Sequence, residues 1–194
     1  LDDDRLAMGV AERLVRGIFP ELAENARFSV APLASFAPAG SVDLVIASNV
    51  LCELERGVEP GLRKDKLSAI VTRWVRGLAP GGHVLVVEPA LRSTARMLQE
   101  LRARALAAGF GVVAPCTHPS SCPLLENEED WCHEDRAISL PSRLIPIARA
   151  AGLSYEGLTF SYLVLQQQPP PLRHHVGRVV APPVEAKSKR SLSL

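Results

Sequence analysis

The chain has 194 residues, 47% of them hydrophobic and 22% charged, with a formal net charge of +1. That length holds one domain, or one domain with appendages, and the composition gives a substantial core under a charged surface. No apolar run approaches the roughly 20 residues of a membrane-spanning helix. The acidic opening Leu1-Asp2-Asp3-Asp4 is not a secretory n-region, and near-neutral charge leaves any electrostatic footprint to local patches.

From Asp4 to about Gly17, Leu6, Val10, Leu14 and Ile18 recur at the helical period. Asp2 to Asp4 precede them as capping residues with favourable charge against the helix dipole. The opening reads as the end of a strand entering a helix, so the chain is expected to be a fragment. Arg27 to Val30 is a short strand candidate, followed by an Ala/Pro-rich loop. The near-continuous apolar run Val42 to Val50 predicts a strand buried on both faces of a parallel sheet. Leu62 to Leu78 is amphipathic, with Leu67, Ile70, Val71, Trp74, Val75 and Leu78 on one stripe. Pro80-Gly81-Gly82 is expected to stop that helix before a second buried strand, His83 to Glu88. Leu91, Ala95, Leu98, Leu101 and Ala105 give another helix, ended at Gly109. Pro141 to Ala151 predicts a further helix, and Thr159 to Gln166 a strand rich in β-branched and aromatic residues. A proline-rich stretch then leads to a basic, irregular end. Strand and helix alternate in this order in open, doubly wound α/β sheets, whose ligands bind at the carboxyl ends of the strands. That rim would carry Asp2, the loop after Val30, and Ser48-Asn49.

One polar loop, roughly Ala114 to Arg136, interrupts the alternation. It holds Cys116, Cys122 and Cys132, three of the four cysteines, spaced Cys-x5-Cys-x9-Cys. With no secretory signal the thiols are expected to stay reduced, which favours metal over disulfide. Thiolates on irregular, Pro-rich backbone suit a soft metal centre, since a loop can turn several sulfurs toward one point. Three thiolates do not complete a four-ligand site. A zinc site would recruit His118 or His133, whereas an iron–sulfur cluster would prefer a fourth thiolate. Cys52 follows an apolar strand and reads as a small buried hydrophobe.

LAPGGHVLVVEP, one element after VDLVIASNVL, resembles the turn into the fifth strand of class I S-adenosylmethionine-dependent methyltransferases. That resemblance implies a partial methyltransferase-like open sheet over residues 1–166, lacking the first strand and glycine loop. A cysteine-rich metal loop would span 112–136, and a proline-rich linker and basic tail 167–194. In that family an acidic residue at the tip of the second strand hydrogen-bonds the cofactor's ribose; Asp2 is the match here, with helix capping as the equal alternative. Ser48 and Asn49 fall where related enzymes orient the target base, without the Asn-Pro-Pro-Tyr signature of catalysis.

A narrower resemblance lies in Pro115-Cys116-Thr117-His118, Cys122-Pro123-Leu124, Asp130-Trp131-Cys132-His133 and Phe160-Ser161-Tyr162. These blocks are similar to those of the methyltransferase-like proteins associated with the mitochondrial ribosomal small subunit and of their bacterial relatives. The resemblance implies a [4Fe–4S] cluster on four cysteines, with zinc as the alternative metal, and a role in small-subunit assembly. It implies the mitochondrial matrix for a eukaryotic chain or the cytoplasm for a bacterial one, and neither membrane nor DNA as partner. The fourth cysteine would follow Leu194. Small-subunit RNA would be met by Arg173, Arg178, Lys187, Lys189 and Arg190, which on charge alone equally suit a solvated tail. Two other readings stay open: a non-catalytic scaffold stapled by the cluster, and a zinc-containing small-molecule methyltransferase.

Overall fold

The computed structural model describes residues 1–38, 42–153, 157–171, 177, 184–185 and 191–192. Asp4 starts the first helix: its carboxylate accepts the backbone N–H groups of Leu6 at 2.7 Å and Ala7 at 3.2 Å. Two donors that the first turn leaves without a helical partner are thereby satisfied, and α1 runs Arg5–Ile18. Its apolar stripe forms as predicted but faces outward, with Leu6 72% exposed and Val10, Leu14 and Ile18 exposed beside it. One further turn, α2, covers Pro20–Ala23. The strand expected over Arg27 to Val30 is reduced to a single parallel bridge between Asp2 and Val30. Asp4 turns into the helix on one side, and on the other Pro32 has no N–H with which to extend the ladder.

The first strand, β1 (Val42–Ser48), crosses through α3 (Pro60–Arg76) to a parallel neighbour, β2 (Leu78–Pro89). Glu59 caps α3 by accepting the N–H of Leu62 at 2.9 Å. The helix stops at Gly77, ahead of Pro80-Gly81-Gly82, which lies inside β2. The register steps there from Val42 opposite Leu78 to Leu44 opposite His83, so Ala79 to Gly82 bulge out of the ladder. Gly81 supplies φ +80°, and a Cβ on Gly82 would stand 3.0 Å from the carbonyl oxygens of Val42, Asp43 and Ala79. Glycine is needed at both points.

After β2 come α4 (Arg92–Ala107), β3 (Gly111–Ala114), β4 (Glu134–Ala137), α5 (Ile145–Ala150) and β5 (Gly157–Gln166). The helix expected over Pro141 to Ala151 divides into a 3₁₀ turn, Ser142–Leu144, and the short α5. Pro146 lacks an N–H and is tolerated only near a helix start, which fixes the break. Beyond β5, β6 (Val184–Glu185) and β7 (Ser191–Leu192) pair antiparallel with each other.

The main sheet has the order β1-β2-β5-β3, with β5 inserted antiparallel between β2 and β3. It is a mixed, open α/β sheet. One face is covered: Trp74 and Val75 of α3 and Leu98 and Leu101 of α4 pack on Val45, Val84, Val86, Leu163 and Leu165. The expectation that β1 is buried on both faces does not hold. Val45 and Ala47 are buried, whereas Leu44 is exposed and Ile46 is 62% exposed. An apolar run permits burial on two sides, but among the described residues α3 and α4 share one side.

Candidate functional site

The cysteine loop is pinned at both ends to one strand. β3 pairs with Gln166 to Val164 of β5, and β4 pairs with Phe160 to Gly157 along the same edge. The excursion that carries the cysteines therefore leaves and rejoins a single strand position. Ser161, Tyr162 and Leu163 fill the gap between the two pairings. There Ser161 Oγ donates to the carbonyl of Cys132 at 2.8 Å. Trp131 Nε1 anchors the same arm by donating to the Ala90 carbonyl at 3.0 Å.

The opposite wall is α4. Arg92, Arg96, Gln99 and Arg102 recur at spacings of four, three and three, which places them on one helix face. Arg92 pairs with Glu129 at 2.6 Å, and Arg96 donates to the carbonyls of Asn127 and Asp130, each at 2.9 Å. Gln99 Nε2 lies 3.3 Å from Cys122 Sγ, and Arg102 Nη2 donates to the carbonyls of His118 at 2.6 Å and Ser120 at 2.9 Å. Sequence reasoning found the apolar stripe of this helix and missed the polar one. The same periodicity, applied to Arg and Gln, would have exposed it.

Cys116, Cys122 and Cys132 line one cavity with Gln99, Arg102 and Ser161. It measures about 30 Å³, close to the share of one water. Burial pushes the Cys116 thiol up, the Arg102 guanidinium opposes that shift, and the other two thiols add to it. Among the described residues no three His, Cys, Asp or Glu side chains are grouped tightly enough to hold a metal ion. The thiols share a cavity, then, without forming a coordination sphere. The donor chemistry nonetheless suits a soft, anionic metal group. Gln99 is 5% exposed and Arg102 3%, yet Gln99 Oε1 and Arg102 Nε have no hydrogen-bond partner.

The strand-end rim is built around Glu88, which is fully buried at the end of β2. Its carboxylate accepts the backbone N–H groups of Val50 at 3.1 Å, Leu51 at 2.7 Å and Cys52 at 3.2 Å. Asn49, at φ +55°, donates its own N–H to the Val87 carbonyl at 2.8 Å. Ser48 and Asn49 are thus held on a fixed turn, with Asn49 Nδ2 3.5 Å from Ser48 Oγ. Asp2 accepts the Asp4 N–H at 2.8 Å and bridges Val30. No hydrogen bond among the described residues joins it to Ser48 or Asn49, and the capping role falls to Asp4. Glu88 itself was legible only as the end of a strand. Cys52, beside it, has its thiol pushed up to about 12, first by burial and then by the Glu88 carboxylate.

A cleft of about 400 Å³ opens between α3 and α4, lined by Arg56, Arg63, Lys64 and Arg96 together with Glu100. The predicted RNA contacts Arg173, Arg178, Lys187, Lys189 and Arg190 lie outside the described residues.

A family model described as mitochondrial small ribosomal subunit Rsm22 matches residues 6–194. Among solved structures the chain is similar to TTHA0409 of Thermus thermophilus, a protein proposed to be a DNA modification methylase. Identity is 18% and the TM-score 0.38 over 74% of this chain, which spans about half (51%) of that structure. No curated protein matches.

Proposed function

The chain belongs to the Rsm22 family of mitochondrial small ribosomal subunit proteins, and from that membership we propose that it acts in assembly of the small ribosomal subunit. In this reading it is a methyltransferase-like protein with an iron–sulfur cluster at the cysteine cavity. One arrangement carries the reading: three thiols and two buried side chains with unused hydrogen-bonding atoms line the same cavity.

Cys116, Cys122 and Cys132 would supply three of four ligands, the fourth coming from outside the described residues. Housing a cluster there requires the cavity, which is water-sized, to widen around Gln99 and Arg102. S-adenosylmethionine would sit at the rim of Asp2, Ser48 and Asn49, where it supplies an electrophilic methyl group when bound. The residues around it position and exclude water. Ribosomal RNA would meet the tail residues Arg173, Arg178, Lys187, Lys189 and Arg190, and the cleft of Arg56, Arg63, Lys64 and Arg96, through its phosphates. The compartment would be the mitochondrial matrix in a eukaryote or the cytoplasm in a bacterium.

The scaffold reading is favoured by one feature of the rim. The carboxylate behind it, Glu88, is buried and committed to three backbone N–H groups, which leaves it unable to serve as a base. Anaerobic purification of the whole protein, with iron and sulfide analysis and sedimentation against small-subunit particles, tests the proposal. Iron, sulfide and co-sedimentation are expected, and Cys122→Ser should lose the iron. Zinc without iron refutes the cluster. Co-sedimentation without methyl transfer selects the scaffold.

A further inference from the structure

We propose that Gln99 and Arg102 form a donor pair that faces the sulfurs of the cysteine centre and raises its reduction potential. This rests on the reading that the cavity binds an iron–sulfur cluster. Both side chains come from α4, one turn apart, and both are buried at the wall of the cavity. Gln99 Nε2 already reaches Cys122 Sγ at 3.3 Å. Arg102 spends Nη2 on two loop carbonyls and lines the same cavity as the Cys116 thiol.

The charge argument is the stronger one. A buried guanidinium requires an anion or a full set of acceptors. Among the described residues no carboxylate pairs with Arg102, and its Nε has no acceptor. The cavity lining holds no carboxylate, and the sulfurs of a cluster bound there would be that anion. Arg96 and Arg102 both donate to loop carbonyls through Nη atoms. Arg102 differs in that it also lines the cavity of the thiols with a buried, unused Nε–H. Donors and positive charge next to cluster sulfurs stabilise the reduced, more negative form, so their removal lowers the potential. Outer-shell partners of this kind also govern retention of the metal.

The test uses the whole protein purified anaerobically as wild type, Gln99→Leu, Arg102→Met and Arg102→Lys. Iron per chain and the reduction potential, from a dithionite titration of the loaded fraction, are measured for each. Gln99→Leu and Arg102→Met should shift the potential negative and weaken iron retention about 10- to 100-fold. Arg102→Lys, which keeps the charge but not the planar fork, should fall between them and wild type. If Arg102→Met does not fold, Arg102→Lys and Gln99→Leu carry the comparison. Variants with wild-type potential and iron content overturn the donor pair and leave the cluster standing. A wild-type protein without iron overturns the cluster reading and this proposal together.

Discussion

Glu88 Oε1 accepts the backbone N–H of Leu51 at 2.7 Å across 37 positions of sequence, and both residues are fully buried. The same carboxylate takes the N–H groups of Val50 and Cys52, so one side chain replaces a missing turn of backbone pairing behind Ser48 and Asn49. Truncation leaves three N–H groups without their acceptor. Glu88→Ala should destabilise the protein by about 3 kcal/mol or more, read from urea unfolding. Glu88→Gln, which keeps one oxygen, should lose less.

Beside that carboxylate, the Cys52 thiol is raised from its ordinary value of 9.0 to about 12. Folding therefore favours the neutral thiol. The contribution is complete below pH 9 and is lost as pH rises through about 12. Because the thiolate is the nucleophile, Cys52 should be the slowest cysteine to alkylate at pH 8 in the metal-free protein. Peptide mass spectrometry measures the order, and urea should abolish the lag. Fast labelling of folded Cys52 would contradict the burial argument.

Arg96 holds the middle of the cysteine loop through the carbonyls of Asn127 and Asp130. Hydrogen bonds from a charged donor are worth about 2 kcal/mol, so Arg96→Ala should speed amide exchange over residues 124–131 by roughly 30-fold. Arg92→Ala removes only the exposed pair with Glu129 and should cost at most about 0.5 kcal/mol. Equal effects of the two variants would mean that the loop is held elsewhere.

Gly111 begins β3, where a Cβ would collide with the Gln168 carbonyl oxygen and stand 2.9 Å from Gln166 Cγ. Gly111→Ala should cost about 2 kcal/mol through overpacking, measured as a lowered urea midpoint. The damage should spread to the loop, because β3 is one of its two anchors on β5.

The helices and the long strands were legible because their signal is local. The stripe Leu67, Ile70, Val71, Trp74 and Val75 marks α3 and is buried as read. β3 and β4 escaped notice at the two ends of the cysteine loop. Four residues give too short a period to separate strand from loop, and only the edge of β5 makes these segments strands. The exposed stripe of α1 shows the reverse case: its periodicity specifies a helix correctly and says nothing of what covers it.

At the site, the order of residues alone was enough to place three thiols in one polar loop and to show that their blocks resemble those of small-subunit proteins. Their spacing is covalent and needs no fold to be read. That both ends of the loop share the β5 edge, and that Gln99 and Arg102 face the sulfurs, emerged only once the chain was folded. Folding also left the thiols around a common cavity rather than in a closed coordination sphere. Those are contacts between residues 16 to 29 positions apart, or more. Such contacts are fixed by how strands pair and by which helix face the core turns outward, neither of which a local pattern encodes.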